Sequence, residues 1–346
     1  MAMSYGKYVA YRIVNALIIL FFATLLSASL FVQLAIVEDK GLVQAQLTQQ
    51  IQTYVKRHHT QPTQEWIQKL NQSLIHQYKL DVPYWKRVLE TTKNTILWRW
   101  GSSQSALFGT YDVRKQIEIA LPRTILMFTT ATVIVILIGI ALGVKSAQNP
   151  GSYMDRTIAI LSMVTTSLPM WWLGMLMILI FCVWLGILPI KLYTTPRITS
   201  TIQLLKKMSL PVFTIVLNVF GAWAWTIRNI MIGVLQEDFI MAARAKGVPE
   251  NKVIYGHALK AAAPPIVTMI IFAMLGSLSG AIITEIIFNW PGMGLLYWQA
   301  LMSNVITTVM ALTYISILLY LVSMILADLL YGWLDPRVRV GAAGSR

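Results

Sequence analysis

Residues 124–144 read Thr-Ile-Leu-Met-Phe-Thr-Thr-Ala-Thr-Val-Ile-Val-Ile-Leu-Ile-Gly-Ile-Ala-Leu-Gly-Val and contain no charged side chain. A helix rises about 1.5 Å per residue, so a helical run of this length crosses the hydrocarbon core of a bilayer, which is about 30 Å thick. A surface helix of a soluble protein would instead show a polar face. The stretch therefore predicts a membrane-spanning helix.

Five further apolar runs have the length that a span requires. They are Ile13–Val37, Thr157–Leu185, Leu210–Ile227, Ile266–Ile287 and Thr307–Trp333. The composition of the 346-residue chain agrees, because 56% of the residues are hydrophobic and only 12% are charged, against about 25% charged residues in soluble domains. The sequence predicts an all-α polytopic membrane protein with six spans, and it excludes a disordered chain.

The net charge of +14 is spread unevenly over the loops. With the N-terminus inside, twelve Lys and Arg residues fall in the short inside segments and four in the short outside loops. Excess Lys and Arg is typical of cytoplasmic loops. The other twelve lie in residues 38–123, a segment too long to orient a span. We therefore expect both termini in the cytoplasm, and we assign the basic excess to membrane topology rather than to nucleic-acid binding.

These runs divide the chain into four segments. Residues 1–37 form the cytoplasmic N-terminus and first span, and 38–123 an extracytoplasmic segment. Residues 124–335 form the remaining five spans with a cytoplasmic loop at 228–265, and 336–346 form a cytoplasmic tail. The second segment carries two amphipathic patterns, so we expect it to be mostly helical. It would form a small cap on the membrane domain, a docking surface for an external partner, or both. Its histidines match no metal-ligand spacing, so no metal site is expected.

One segment between the fourth and fifth runs, residues 238–265, reads DFIMAARAKGVPENKVIYGHALKAAAPP. Asp238 suits a helix N-cap, the alanines that follow are strong helix formers, and Gly247 lies where a helix commonly ends. Pro249 suits the first turn of a new helix. The pattern predicts a short helix, a tight turn and a second helix. The residues expected to share one face of the second helix are Val253, Ile254 and His257.

This segment resembles the ATPase-coupling loop of ABC importer permeases, whose pattern is Glu-Ala-Ala, three residues, Gly, nine residues, Ile-x-Leu-Pro. Ala242, Ala243 and Gly247 match that pattern, whereas Met241 stands at the Glu position. Ala-Arg-Ala-Lys-Gly247, followed by His-Ala-Leu-Lys from His257, is similar to the peptide/nickel branch of the family, which also lacks the Glu.

The resemblance extends over most of the chain. The long segment after the first span resembles the B-type permease of this branch. Residues 38–62 look like an insertion, and Pro189-Ile-Lys-Leu departs from the family's Pro-x-x-Gly. The further matches are Leu80-Asp81 with Pro83 and Trp85, Leu121-Pro-Arg-Thr124, Ser167-Leu-Pro-Met-Trp-Trp-Leu-Gly174, Trp290-Pro-Gly-Met-Gly294, and Asp328 with Tyr331 and Leu334-Asp-Pro-Arg337.

The resemblance implies the type I importer permease fold in the cell membrane of a prokaryote. It implies a heterodimer with a second, homologous permease, two ATP-binding subunits and an external solute-binding protein that delivers oligopeptides or oligosaccharides. No Gly-x-x-x-x-Gly-Lys-Ser/Thr pattern occurs in this chain, so ATP and Mg²⁺ would bind to the partner subunits, and the chain would be neither an enzyme nor a cofactor carrier. The loop residues implied to meet the ATPase are Phe239, Ala242, Ala243, Arg244, Lys246, Gly247 and His257, with Arg244 or Lys246 placed to pair with its acidic groups.

Glu285 is an ionisable residue at the end of the fifth run, and such residues near a span are functional candidates. Two interpretations stand at this point. Glu285, with Thr284 and Asn289, lines a translocation path, or it caps a neighbouring backbone segment near Asn289 and Trp290.

Two other classes of protein compete with the importer subunit. A membrane-embedded enzyme would need a paired acid and base or a metal constellation, and none is visible in the sequence. A stand-alone secondary transporter or channel would show an internal repeat with broken helices at matching places. No convincing repeat is found, and this second class stays as the alternative.

Overall fold

The computed structural model describes residues 5–103, 107–194, 198 and 200–334. Within those ranges all regular elements are helices, apart from one isolated bridge between Ser102 and Asp112, so the all-α prediction is confirmed. The predicted tail, residues 336–346, and Asp335 lie outside the described residues. The helices are α1 Tyr5–His58, α2 Gln64–Gln77, α3 Tyr84–Ile96, α4 Val113–Gln148, α5 Tyr153–Ser167, α6 Met170–Ile178, α7 Lys191–Thr194, α8 Thr201–Leu235, α9 Asp238–Ala245, α10 Glu250–Lys252, α11 Leu259–Gly276, α12 Ile282–Ile287, α13 Met293–Met302 and α14 Ile306–Leu334.

The predicted third span, Thr157–Leu185, is broken rather than straight. Among the described residues, five helical stretches are long and apolar enough to cross a membrane. The pair α5 and α6, with its π-helical continuation Leu179–Trp184, is bent by 96° and brings the number to six if the pair forms one span. The break falls at Pro169, whose ring disfavours the helical conformation of Leu168. The amide of Asn218 donates to the carbonyl oxygens of Thr165 and Leu168, both at 3.0 Å. This amide satisfies carbonyls that the broken helix leaves open.

The predicted fifth span, Ile266–Ile287, begins inside a longer helix and is wrong at its end. A continuous helical stretch runs from Glu250 to Ser279, through a π-helical turn at Val253–Ala258. Gly280 then ends it with a φ of +64°, a conformation that glycine adopts without strain. α12 is therefore a separate short helix.

Helix α1 continues 21 residues beyond Val37, so the predicted boundary at residues 37 and 38 lies inside one helix. The predicted amphipathic patterns are helical: one forms the end of α1 and the other forms α2. The ring of Tyr54 packs on that of Trp66, with centroids 4.9 Å apart. A hydrogen bond from His76, near the end of α2, lowers the pKa of Asp81, which follows that helix. Which side of the membrane this segment faces stays a prediction.

We call the side of the bundle that holds residues 237–258 the loop side, and the side that holds α2 and α3 the cap side. Helices α1 and α14 pack together, with Arg12 Nε 3.3 Å from Asp328 Oδ2 near the loop side. At the cap side, Ala28 and Val32 of α1 form a buried cluster with Met310 of α14.

Helices α4 and α8 cross at a pair of glycines. A methyl group added at Gly139 would lie 2.7 Å from Cβ of Trp223, and one at Gly143 would lie 2.6 Å from the carbonyl oxygen of Ala224. Carbon atoms in contact normally lie about 3.5–4.0 Å apart. Only glycine therefore allows the two backbones to approach this closely, as small residues do in membrane helix pairs.

A buried ion pair holds the loop-side ends of α4, α5 and α8 together. Arg228 of α8 donates from Nε to Asp155 Oδ1 at 2.6 Å and from Nη2 to Oδ2 at 2.7 Å. Asp155 also accepts from Ser146 Oγ at 2.6 Å and from the backbone N–H of Gly151 at 2.8 Å. The guanidinium lies over the ring of Trp225, 4.5 Å from its centroid. Four donors thus satisfy one carboxylate, so we expect the charged pair to be stable despite burial.

Replacing Asp155 with Asn should destabilise the chain by about 3 kcal/mol, because the buried Arg228 loses its counter-charge. The measurement is the thermal melting of the purified protein in detergent, followed by tryptophan fluorescence. Glu118→Gln is the control, since that carboxylate pairs with Arg114 on an exposed helix face, where an ion pair contributes about 0–1 kcal/mol. Equal melting temperatures for Asp155→Asn and the wild type would show that the pair does not hold the three helix ends.

Candidate functional site

The segment from α9 to the π-helical turn, residues 238–258, packs on the loop-side ends of α4 and α8. Its buried side chains, Ile240, Val253, Ile254 and Ala258, are at most 3% exposed. They belong to one apolar cluster with Val144 and Ala147 of α4 and Ile227 and Met231 of α8. The loop is therefore seated on the spans rather than loosely tethered to them.

Three large apolar side chains of the same segment are exposed. Phe239, Met241 and Tyr255 are 48%, 56% and 52% exposed. Tyr255 also accepts a hydrogen bond at its hydroxyl from Gln148 Nε2 at 3.0 Å, which links the exposed face to the end of α4. The segment thus has one apolar face packed on the bundle and a second that is uncovered in the single chain.

The turn between the two helical arms depends on Gly247. Its φ is +76°, and a side chain there would meet no atom within 4 Å, so the requirement is conformational rather than spatial. The N–H of Val248 donates to the carbonyl of Ala243 at 3.2 Å, as in a Schellman ending. The predicted helix, turn and second helix are confirmed. Asp238 is the first helical residue, and Glu237 is the N-cap, without a side-chain hydrogen bond.

The position of His257 differs from the sequence prediction, and Arg244 has a partner that the sequence did not indicate. Arg244 is bound within the loop, because its Nη2 lies 2.7 Å and its Nε 3.2 Å from the carboxylate oxygens of Glu250. Lys246 has no ion pair within the described part of the chain. His257 was expected on the face of Val253, yet it is exposed and Ala258 is buried in its place. The wider π-helical turn causes this shift, because it changes the spacing of residues on one face.

The remaining coupling-loop candidates lie where the pattern placed them. Ala242 is exposed and Ala243 is half-buried, so the alanine pair leaves room on the outer side of α9. The sequence pattern included Phe239 among the candidates, whereas nothing in the spacing indicated that Tyr255 would also be exposed. Only the packing of Ile240 and Ile254 reveals which side is covered.

Glu285 lies in a closed cradle between α12, the start of α13 and α4. Its Oε1 accepts from Thr124 Oγ1 at 2.7 Å, and its Oε2 accepts from the backbone N–H groups of Gly294 at 2.7 Å and Leu295 at 3.2 Å. Thr124 in turn accepts from the N–H of Met293 at 2.8 Å. All partners of the carboxylate are donors, and two of them are the free N–H groups of a helix start, where a negative charge is favoured.

Two glycines make this cradle possible. A methyl group at Gly292 would lie 2.4 Å from Thr124 Oγ1 and 2.5 Å from Glu285 Oε2, and one at Gly294 would lie 2.6 Å from Cα of Ile282. Trp290, two residues before Gly292, is fully buried and donates from Nε1 to the carbonyl of Arg123 at 3.2 Å. The Trp-Pro-Gly-Met-Gly motif therefore closes the chain over Glu285.

The cradle matches the capping interpretation of Glu285. The residue is 0% exposed and Thr284 3%, so neither presents a side chain to an open path in this conformation. Asn289 is half-buried and has a φ of +47°, in the turn that follows α12. A translocation role for these three residues stays a prediction. Sequence reasoning missed Thr124, which lies 161 residues away in the chain.

Gly292→Ala should prevent the cradle from closing and strongly reduce the folded yield, because its methyl group would overlap both Thr124 and Glu285. The measurement is the monodisperse fraction of the detergent-extracted protein in size-exclusion chromatography. Gly233→Ala is the matched control, since a methyl group there meets nothing within 4 Å. Equal monodisperse fractions for the two variants would contradict the cradle.

Comparison with known proteins places the chain in a transport family. Residues 135–340 match the model of the family described as binding-protein-dependent transport system inner membrane component. The oligopeptide transport system permease protein AppB of Bacillus subtilis is 31% identical over 274 residues, which cover 77% of this chain and 84% of the relative.

Two other permeases show similar likeness. The dipeptide transport system permease protein DppB of Bacillus subtilis is 29% identical over 82% of this chain and 87% of its own length. The probable D,D-dipeptide transport system permease protein DdpB of Escherichia coli is 30% identical over 66% of this chain and 73% of its own length. The seated loop and the apolar spans agree with these matches. The chain belongs to the family of binding-protein-dependent transport system inner membrane components, and it is a multi-pass permease subunit of an ABC importer.

Proposed function

We propose that this chain is the B-type permease of an importer for oligopeptides. It would form a heterodimer with a second, homologous permease and receive its solute from an external binding protein. The support is that relatives matching most of the chain are named as oligopeptide and dipeptide permeases. Oligosaccharides are the competing class of solute, because residues 38–62 and Pro189-Ile-Lys-Leu depart from the family pattern on the expected outer face.

The observation that carries the proposal is the two-faced loop at residues 238–258. One face is buried on α4 and α8, and the other exposes Phe239, Met241 and Tyr255. Clustered exposed apolar side chains on a polar segment favour a protein contact. We assign this uncovered face to one of two ATP-binding subunits, with Lys246 placed to meet an acidic group.

The loop would act as a mechanical link. Closure of the ATP-binding subunits, which would hold ATP and Mg²⁺, would push on Phe239 and its neighbours. Because Ile240, Val253 and Ile254 are packed on the spans, the push would rotate the helices as a rigid body and alternate access between the two sides. In this scheme the loop side is cytoplasmic, together with both termini, in agreement with the twelve Lys and Arg residues of the inside segments.

Gly247→Asp should abolish uptake while leaving the chain folded. The aspartate side chain would meet no neighbouring atom, and a φ of +76° would cost it only about 1 kcal/mol. It would, however, put bulk and negative charge on the uncovered face. The measurement is solute uptake and ATP hydrolysis by the reconstituted complex in proteoliposomes.

Gly101→Asp is the matched control for this variant. Gly101 has a φ of +72° and nothing within 4 Å of an added methyl group, yet it lies in the loop that follows α3. It should keep uptake at the wild-type level. Wild-type uptake by Gly247→Asp would refute the assignment of the loop to ATPase contact.

The class of solute is tested separately. We expect the co-purified binding protein to be stabilised thermally by short peptides, and unlabelled peptides to compete for uptake. The same assay with neutral oligosaccharides should give no shift in melting temperature. A shift with the sugars alone would replace the peptide assignment while leaving the permease role intact.

A further inference from the structure

A cavity of about 410 Å³ lies at the cap side between α1, α3 and the beginning of α14. The residues that line the cavity change from apolar to charged along α1. Phe31 and Ala35 line one part, together with Met310 of α14, whereas Glu38 and Asp39 line the other, together with Arg87 of α3. The distance from residue 31 to residue 39 along a helix is about 12 Å. The cavity therefore has an apolar part and a charged part, and its length matches a lipid headgroup with the first methylene groups of the acyl chains.

The cavity lies where the apolar run of α1 ends, so we expect it at one boundary of the membrane. The apolar run of α1 ends at Val37, directly before the two acidic residues, and α14 begins at Ile306 on the other wall. Leu34 and Val37 are exposed on α1 beside the cavity. We therefore expect the ends of the two spans α1 and α14 and the polar half of the cavity to meet at headgroup level.

Helix α3 marks the same level. It crosses α1, with Tyr84 Oη donating to the carbonyl of Ser29 at 2.8 Å, and its buried side rests on α1 through Val88. On its other side Trp85 is 59% and Leu89 51% exposed. Exposed aromatic side chains of this kind are typical of the membrane–water interface. Amphipathic helices with such residues often lie in the plane of the interface, and we expect α3 to do so.

The charges in the cavity are incompletely paired. Arg87 Nη2 donates to Asp39 Oδ2 at 2.8 Å, whereas Nη1 is buried and has no hydrogen-bond partner. Glu38 makes no hydrogen bond or ion pair within the described ranges, although it lines the same cavity. A buried donor without an acceptor is unfavourable, and so is a carboxylate beside a second carboxylate. Among the described residues, the cavity therefore presents a buried donor without an acceptor at Arg87 and a partly exposed carboxylate without a cationic partner at Glu38.

We propose that this cavity binds the headgroup of a glycerophospholipid that carries a primary amine. The ammonium group would donate to Glu38, and a phosphate oxygen would accept from Arg87 after a small rotation of the guanidinium. The acyl chains would follow Phe31, Ala35 and Met310 to the exposed face of α1. Two carboxylates against one guanidinium leave an excess negative charge, which disfavours an anionic headgroup. A quaternary amine has no N–H to donate to Glu38.

Lipid retention by the purified full-length protein tests this site directly. The protein is reconstituted in nanodiscs of phosphatidylcholine, with phosphatidylethanolamine or phosphatidylglycerol of the same acyl chains as the minor component, then extracted in mild detergent. Retained lipid is counted by native mass spectrometry. The wild type should retain one phosphatidylethanolamine per chain, in preference to the other two lipids.

Glu38→Gln should lower this retention about tenfold, because one charge-assisted hydrogen bond usually changes the affinity by about that factor. Glu65→Gln is the control, because Glu65 pairs with Lys69 on the exposed face of α2. Ala35→Phe is a second test, since it fills the apolar half and leaves the charges unchanged. Melting temperatures of all three variants exclude a folding defect as the cause.

Three results would overturn the proposal. The first is wild-type retention by both Glu38→Gln and Ala35→Phe. The second is equal retention of phosphatidylethanolamine and phosphatidylcholine by the wild type. The third is displacement of the lipid by soluble glycerophosphoethanolamine at matched concentration. The last result would assign the polar half of the cavity to a soluble zwitterion. None of these outcomes depends on the transported solute or on the loop at residues 238–258.

Discussion

The crossing of α4 and α8 at Gly139 and Gly143 is the contact on which the rest of the structure depends. Lipid tails are as apolar as leucine side chains, so helices in a bilayer associate through close packing and hydrogen bonds rather than through the hydrophobic effect. The missing side chains of these glycines let Ala224 and Ile227 reach the backbone of α4. This approach brings Arg228 to Asp155 one turn further along, and it fixes the platform on which the loop at residues 238–258 is seated.

Helix α4 consequently connects the two sides of the molecule. At its cap-side half, Thr124 closes the cradle of Glu285 by accepting from Met293 and donating to the carboxylate. At its loop-side end, Ser146 donates to Asp155, and Gln148 donates to Tyr255. A displacement of the loop therefore reaches α4 through hydrogen bonds as well as through apolar packing. We expect α4 to transmit motion between the ATP-binding partners and the segment around α12 and α13.

The sequence alone was sufficient to locate the apolar runs and the helix, turn and second helix of the loop, because both follow from local chemistry. Uncharged runs of membrane length and a glycine at a helix end are visible without tertiary structure. Long-range pairs were not predictable in this way, since nothing in the sequence joins Glu285 to Thr124 or Asp155 to Arg228. Apolar composition also concealed the break at Pro169 and the end of the fifth span at Gly280, because the residues beyond each break are as hydrophobic as the span itself.

The central claim is that the uncovered face of the loop contacts an ATP-binding subunit. The direct measurement is photo-cross-linking from a benzophenone attached at Phe239→Cys, in a Cys182→Ser background that removes the chain's only native cysteine. The same probe at Trp184→Cys, 71% exposed at the end of the π-helical turn after α6, is the reference. The account predicts an adduct with a nucleotide-binding chain from position 239 and none from position 184. An intact complex that gives only lipid adducts at position 239 would contradict it.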